Sequence, residues 1–488
     1  MQPPVPASSA SFELKPRQVA HYERIEKILS TNYAALDSSP TGAGKSFIVL
    51  EYARRNGLAI CVICPLAVVQ NWKNYCAMYG ITLITAITYQ SLRGTKGKTN
   101  NPLLKVVGDT YLPSDYFRSW AAHGMLLVYD EAQNLMNESL QSRAAHCLTR
   151  TIMQDGPCSR ILALSAAPAS REKNCFPLMK ALGICKHFEL YYYDKGTAQY
   201  EDLGYAEIKK KANEINPALA REIADSLPLK RSTANQLCFA FFSKILLPPI
   251  RSSMPKPELD VELDAKLCRY HFPPNDVEDL KSAYAAIRAA VSYGPNGGMT
   301  LKGNITGPCR RIGLASAPTI ARLVRKDMAQ GFKVVIFSEY DDVTRLLCEL
   351  LGDFFPTPLN GKVKQADRTT IVEKFQQPNW DSRIIVSHPK VGGVGVNLDD
   401  QHGSFPRKCY LIPSYYFLDT IQASGRIYRT LTKSRAVVRI VECAEFSENT
   451  KIIDSILRKT DVLKSLLDNG QGMLLPGDYP SIVEDQDN

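Results

Sequence analysis

A chain of 488 residues with 45% hydrophobic and 22% charged side chains can bury two or three separate cores, which excludes a disordered polypeptide and a small disulfide-stapled module. Its net charge of +10 tolerates a polyanionic partner without demanding one, and no apolar run approaches a membrane span. Thirteen cysteines are scattered through the sequence, many in apolar runs, which is the usage of a reducing compartment.

Residues 1–10, rich in proline and small side chains, are expected to form a flexible tail, and 471–488, with its acidic end, another. A helical pattern from Leu14 to Leu29 carries Gln18, which reads as an exposed glutamine at a helix start or as an amide within reach of a base. The apolar run Tyr33–Leu36, the stretch Ser39-Pro40-Thr41-Gly42-Ala43-Gly44-Lys45-Ser46 and the helix-like Phe47–Ala53 then make a strand, a loop and a helix in that order. Such a loop aims backbone N–H groups and a helix N-terminus at phosphate, while Lys45 adds a cation and Ser46 an oxygen for magnesium. Ser39 stands where the phosphate-loop pattern has glycine, and a small residue there still permits the turn. Gly-Lys-Ser also occurs in ordinary loops, so its weight comes from the motifs downstream of it in the chain.

Leu58–Cys64 reads as a buried strand closed by Pro65. Its C-x-x-C, Cys61 and Cys64, has no second pair at zinc spacing and belongs to the strand interior. A helix restarts at Leu66–Lys73, and the β-rich Ile81–Tyr89 runs into a basic loop with Lys96 and Lys98. The polar strand ends suit phosphodiesters and equally any α/β loop. Met125–Tyr129 delivers Asp130 and Glu131 to the C-terminal end of a strand, where open α/β sheets hold ligands. There the first carboxylate can hold magnesium through water and the second can orient and deprotonate a hydrolytic water. Ile161–Leu164 is a further core strand, ending at Ser165.

From Lys186 to Arg311 the pattern loosens. Tyr191–Tyr193 and Lys209–Lys211 could serve nucleic acid by stacking and charge but read first as surface and packing features of a helical insertion, and Gly294–Gly298 reads as a loop. Order returns with a helix from Ala317 to Gln330, strands at Lys333–Ser338, Ile384–Ser387 and Tyr410–Ile412, and a helix over Asp342–Leu351. This is a second parallel-sheet domain without a phosphate loop. Gln422, Arg426 and Arg429 fall at i, i+4 and i+7, one face of a predicted helix, the spacing of two arginines aimed at a nucleotide held elsewhere.

In this order, the loop at 39–46, Asp130-Glu131-Ala132-Gln133, Ser165-Ala166-Ala167, Gly392-Gly393-Val394-Gly395-Val396-Asn397-Leu398 and Gln422-x-x-Gly425-Arg426-x-x-Arg429 resemble a superfamily 2 helicase or translocase motor. Pro65 with Trp72, Ile87–Tyr89, Ile336–Ser338 and Gly361 with Arg368 and Phe375 are most similar to its Swi/Snf-type branch. Gln133 departs from the histidine usual in that branch, and Ser165-Ala166-Ala167-Pro168 from its Gly-Thr-Pro. With no appended reader or zinc module, nucleosome remodelling is not expected. The compact motor also resembles the transcription-associated helicases of large DNA viruses.

The resemblance implies an α/β protein of two RecA-like domains, 11–185 and 312–470 with a C-terminal helix, separated by a mainly helical insertion at 186–311. It implies ATP and magnesium as cofactors. Gln18, Thr41, Gly42, Ala43, Gly44, Lys45 and Ser46 would hold the nucleotide with Gly395 and Gln422, and Ser46 and Asp130 the metal. Glu131 would be general base, Gln133 and Ser165 would couple hydrolysis to the other domain, and Arg426 and Arg429 would complete the site. Trp72, Lys73, Thr88, Tyr89, Gly392 and Gly393 would touch nucleic acid, DNA ahead of RNA, with no membrane involved and protein partners open. The implied activity is ATP-driven translocation on DNA, duplex ahead of single strands. The alternatives are an RNA or single-strand helicase acting in transcription and a nucleotide-gated clamp. An intracellular setting follows, with nucleus, cytoplasm and viral particle or factory undistinguished.

Overall fold

The computed structural model describes residues 13–94, 101–108, 110–194, 199–201, 203–227, 233–255, 260–293, 299–392, 396–413, 425–429, 431–446, 450–467 and 480–483. Two compact units divide the chain: residues 1–256 with 462–473, and residues 257–461 with 474–488. Both are α/β units built on a parallel sheet. The tails, Lys96 and Lys98, the loop 294–298, and Gly393, Gly395 and Gln422 fall outside the described residues, apart from residues 480–483 of the C-terminal tail.

In the first unit, β1 (Ala34–Asp37), β2 (Ala59–Cys64), β3 (Leu83–Thr88), β4 (Met125–Asp130), β5 (Arg160–Leu164) and β6 (Arg251–Ser252) pair in the order β6-β1-β5-β4-β2-β3. Every pairing is parallel. Helices cover both faces, so the strands read as near-continuous apolar runs instead of alternating ones. Period-two geometry sorts them: Ile60 and Val62 join Tyr22 and Ile25 of α1 (Pro16–Thr31) and Ile48 and Val49 of α2 (Lys45–Asn56) on one face. Cys61 and Ile63 join Leu148 and Ile152 on the other. Cys61 and Cys64 are buried within β2, and no metal-binding cluster occurs among the described residues. The helix expected from Leu66 begins instead with a 3₁₀ turn at Leu66–Val68 and continues as α3 (Val69–Met78).

In the second unit, β7 (Leu263–Tyr270), β8 (Lys333–Phe337), β9 (Thr357–Leu359), β10 (Ile384–Ser387), β11 (Arg407–Leu411), β12 (Ala436–Cys443) and β13 (Ser481–Val483) form a parallel sheet ordered β9-β10-β8-β11-β12-β7-β13. β7 and β12 hide in the sequence because charges interrupt their apolar runs. Their pairing explains those charges: Arg269 lies opposite Glu442, and Asp264 takes Arg439 at 2.8 Å, with Asp264, Arg439 and Glu442 all buried.

The boundary between units falls inside the span expected as a helical insertion. Tyr205, Ile208, Leu237 and Phe241 of its helices pack into a core of the first unit. β7 and the helix Pro274–Ala290 belong to the second. The helix expected from Ala317 starts earlier, at Thr306, and runs to Ala329 with Pro318 inside it.

Candidate nucleotide site

The register of the first sheet sets Asp37, Leu164 and Asp130 level at the C-terminal ends of the adjacent strands β1, β5 and β4. The loop 39–46, Ser165 and the Asp130-Glu131 pair therefore emerge side by side, where a parallel sheet holds ligands.

The loop turns on Gly42 and Gly44, at φ 82° and 96°, a region costly to side chains bearing a Cβ. A Cβ at Gly44 would also collide with Gln18 Nε2. Lys45 opens α2, with Ser46 next, and its Nζ donates to the carbonyls of Ser39 (2.9 Å) and Pro40 (3.2 Å). Gln18 is buried beside the loop: its Oε1 accepts from the backbone of Lys15 at 2.9 Å and its Nε2 reaches Ala43 O at 3.4 Å. Its amide is thus held against the loop and the start of α1.

Ser39 has a use glycine could not supply. Its hydroxyl accepts from Met254 N at 2.8 Å and its own N–H donates to Asp37 Oδ1 at 2.9 Å. Beneath the loop, Asp37 Oδ2 lies 3.0 Å from His21 Nε2, both side chains fully buried, and His21 Nδ1 lies 3.0 Å from Ser252 Oγ. Burial alone would raise the Asp37 carboxyl, but His21 and Lys45 hold it below the usual carboxylate range. This network joins α1, β1, β6 and the loop. His21, three residues after Gln18, enters it from α1, and its contact with Asp37 rests on the packing of that helix against the sheet, which spacing along the chain does not reveal.

Asp130 ends β4. Burial first, then the Glu131 charge, pushes its carboxyl up to about 6, while the Trp72 N–H and Lys45 pull the other way. Glu131 adopts a left-handed conformation, φ 54°, a strained state for a non-glycine residue. That turn carries Glu131 Oε2 to Gln133 Nε2 at 2.6 Å, and Gln133 Oε1 accepts from Ser165 Oγ at 2.5 Å. Glu131, Gln133 and Ser165 form one hydrogen-bonded chain across the ends of β4 and β5. Magnesium usually takes one or two protein oxygens beside phosphate and water oxygens, and the Asp130 carboxylate with the Ser46 hydroxyl offers that chemistry.

Two residues expected to touch nucleic acid are placed differently. Trp72 and Tyr89 are each 1% exposed. The Trp72 indole donates to Asp130 Oδ2 at 2.8 Å and the Tyr89 hydroxyl to Asp130 O at 2.8 Å. Apolar packing claims both rings, so they brace Asp130 from inside, Trp72 at its carboxylate and Tyr89 at its backbone carbonyl. Lys73 is exposed, and Thr88 caps the helix Tyr89–Arg93 by accepting from Ser91 N.

In the second unit, Gly392 ends the short helix Pro389–Gly392. Residues 425–429 form turns and bends where a helix was expected. Lateral bonds hold this stretch: Arg426 O accepts from Leu398 N at 3.0 Å, and Arg429 N donates to Thr432 Oγ1 at 2.7 Å. Arg426 is buried and donates to Val396 O, while Arg429 is half-buried and donates to Asn397 Oδ1 and Gly425 O.

No family profile matches the chain. A protein of Acanthamoeba polyphaga mimivirus that carries the provisional name ATP-dependent RNA helicase is 23% identical over 477 residues, covering 95% of this chain and 85% of that protein.

Proposed function

We propose that this chain is a nucleic-acid-dependent ATPase, a helicase-type motor that couples ATP hydrolysis to movement along a polymer. The observation that carries the reading is the convergence of the Lys45 loop, Asp130 and the Glu131–Gln133–Ser165 chain on one edge of a parallel sheet. Similarity along nearly the whole chain to a protein named as an ATP-dependent RNA helicase supports it.

In this reading Lys45 leaves the Ser39 and Pro40 carbonyls for the terminal phosphates, and the loop N–H groups take the rest of the chain of phosphates. Glu131, oriented by Gln133, takes the proton of the attacking water. Magnesium, when bound, neutralises charge on the transferring phosphoryl group, and Asp130 and Ser46 are the residues that would hold it.

The polymer in this proposal is DNA, duplex ahead of single strands, from the resemblance to Swi/Snf-type motors. The name of the mimivirus relative favours a second reading, RNA. Steady-state ATPase rates without polymer and with duplex DNA, single-stranded DNA or RNA, at low and moderate salt, decide among them. Stimulation by duplex DNA supports translocation on duplexes, and stimulation by RNA transfers the proposal to the second reading. Hydrolysis indifferent to every polymer overturns the motor. Phosphate contacts dominate such binding, so stimulation is expected to fall with salt and to depend little on base sequence.

A further inference from the structure

A buried indole N–H needs an acceptor, and a fully buried tryptophan on a surface helix usually finds a backbone carbonyl or water. Trp72 instead spends its N–H on a carboxylate assigned to the metal, Asp130 Oδ2, at 2.8 Å. The other end of the same residue is held too, since Asp130 O accepts from Tyr89 OH at 2.8 Å. Two aromatic side chains from the segments after β2 and β3 therefore set the position of one aspartate. Each carboxylate oxygen has two lone pairs, so the Trp72 bond fixes orientation without exhausting what Asp130 can bind.

Trp72 is anchored in the core against which α3 packs, while Gln70, Asn71, Lys73 and Asn74 of the same helix are exposed. Lys73 is the next residue in the chain after Trp72. The bond is 2.8 Å long, so a shift of α3 by about 1 Å along the Trp72–Asp130 direction would stretch it beyond hydrogen-bonding range, about 3.5 Å.

We propose that Trp72 is a positioning residue of this site: its indole N–H orients the Asp130 carboxylate, and through it a nucleic acid resting on the exposed face of α3 acts on hydrolysis. The inference rests on the motor reading. It assigns to α3 an inward role besides the outward one that Lys73 suggests. The low solvent access that keeps Trp72 from touching a polymer is what makes it a transmitter.

The test compares the wild-type chain with Trp72→Phe, which keeps the ring and removes the donor. Affinity for a fluorescent ADP analogue is measured with and without magnesium, and then ATPase stimulation by the polymer that stimulates the wild type. The expected result is unchanged magnesium-free affinity, a magnesium-dependent gain reduced about tenfold or more, and stimulation reduced to a similar degree while polymer affinity holds. Equal magnesium-dependent gain and equal stimulation in both proteins overturn the inference.

A second measurement does not depend on that variant folding. The chain has three tryptophans, so Trp120→Phe with Trp380→Phe leaves Trp72 as the sole indole. Its emission is expected to shift when magnesium joins bound nucleotide and again when polymer is added, and constant emission overturns the inference. A wild-type chain that binds magnesium-nucleotide while Trp72 is indifferent overturns this inference alone. A wild-type chain that binds no nucleotide overturns the motor reading with it.

Discussion

Lys45 and Glu131 differ in how they are held, and their substitutions should differ accordingly. Lys45→Ala removes a cation whose partners are loop carbonyls, so nucleotide affinity and hydrolysis should both fall, hydrolysis by at least about a hundredfold. Glu131→Gln keeps the shape and a bond to Gln133 but cannot take a proton, so binding should persist while hydrolysis falls about 10²–10⁴-fold. A thermal melt should show both variants folded, and near-wild-type turnover in either would reject its assigned role. Ser39→Ala tests the departure from the glycine of the phosphate-loop pattern. It leaves the buried Met254 N–H without its acceptor and should cost about 1–3 kcal/mol in chemical denaturation. A change within error would mean that the hydroxyl is incidental.

At the scale of the element, the loop at 39–46 is a strand-to-helix turn that two left-handed glycines, Gly42 and Gly44, make possible. Gly44→Ala should abolish nucleotide binding, and adding Gln18→Ala should not restore it. The double variant removes the collision but leaves a φ of 96° that alanine resists. Recovery of nucleotide affinity in the double variant would show that crowding alone governs the position. In the second unit the β7–β12 pair is held by charges inside the sheet. Asp264→Ala removes the carboxylate paired with the buried Arg439 and should lower the unfolding free energy by about 3 kcal/mol, read from the denaturant midpoint. These strands also show the limit of pattern reading. An apolar run interrupted by Arg439 and Glu442 does not look like an interior strand until its neighbour supplies Asp264 and Arg269.

For the whole molecule, acid stability carries a marker in the first unit. Burial first, with Lys180 and Arg150 adding to it, lowers the ring of His146 from 6.5 to about 4. The unfolded chain therefore takes up this proton before the folded one does. The stabilisation is intact above pH 6.5 and is lost as pH falls toward 4, at most about 3 kcal/mol for the group. Melting wild type and His146→Leu across that range should show a shallower acid slope in the variant, and parallel slopes would exclude His146. Much of the architecture was legible from the amino acids alone. The glycine-bearing turn at 39–46, the carboxylate-ended β4 and the buried runs of β1, β2, β5, β8 and β10 are local signals, because glycine conformation and apolar periodicity act over a few residues. Tertiary structure decided what depends on partners distant in sequence. Strand order set Asp37, Leu164 and Asp130 level, and the pairing of β6 with β1 gave Ser39 its acceptor role. Packing of α3 turned Trp72 from an outward contact into a brace for Asp130, since burial is decided by the neighbours a fold brings and a sequence does not enumerate them.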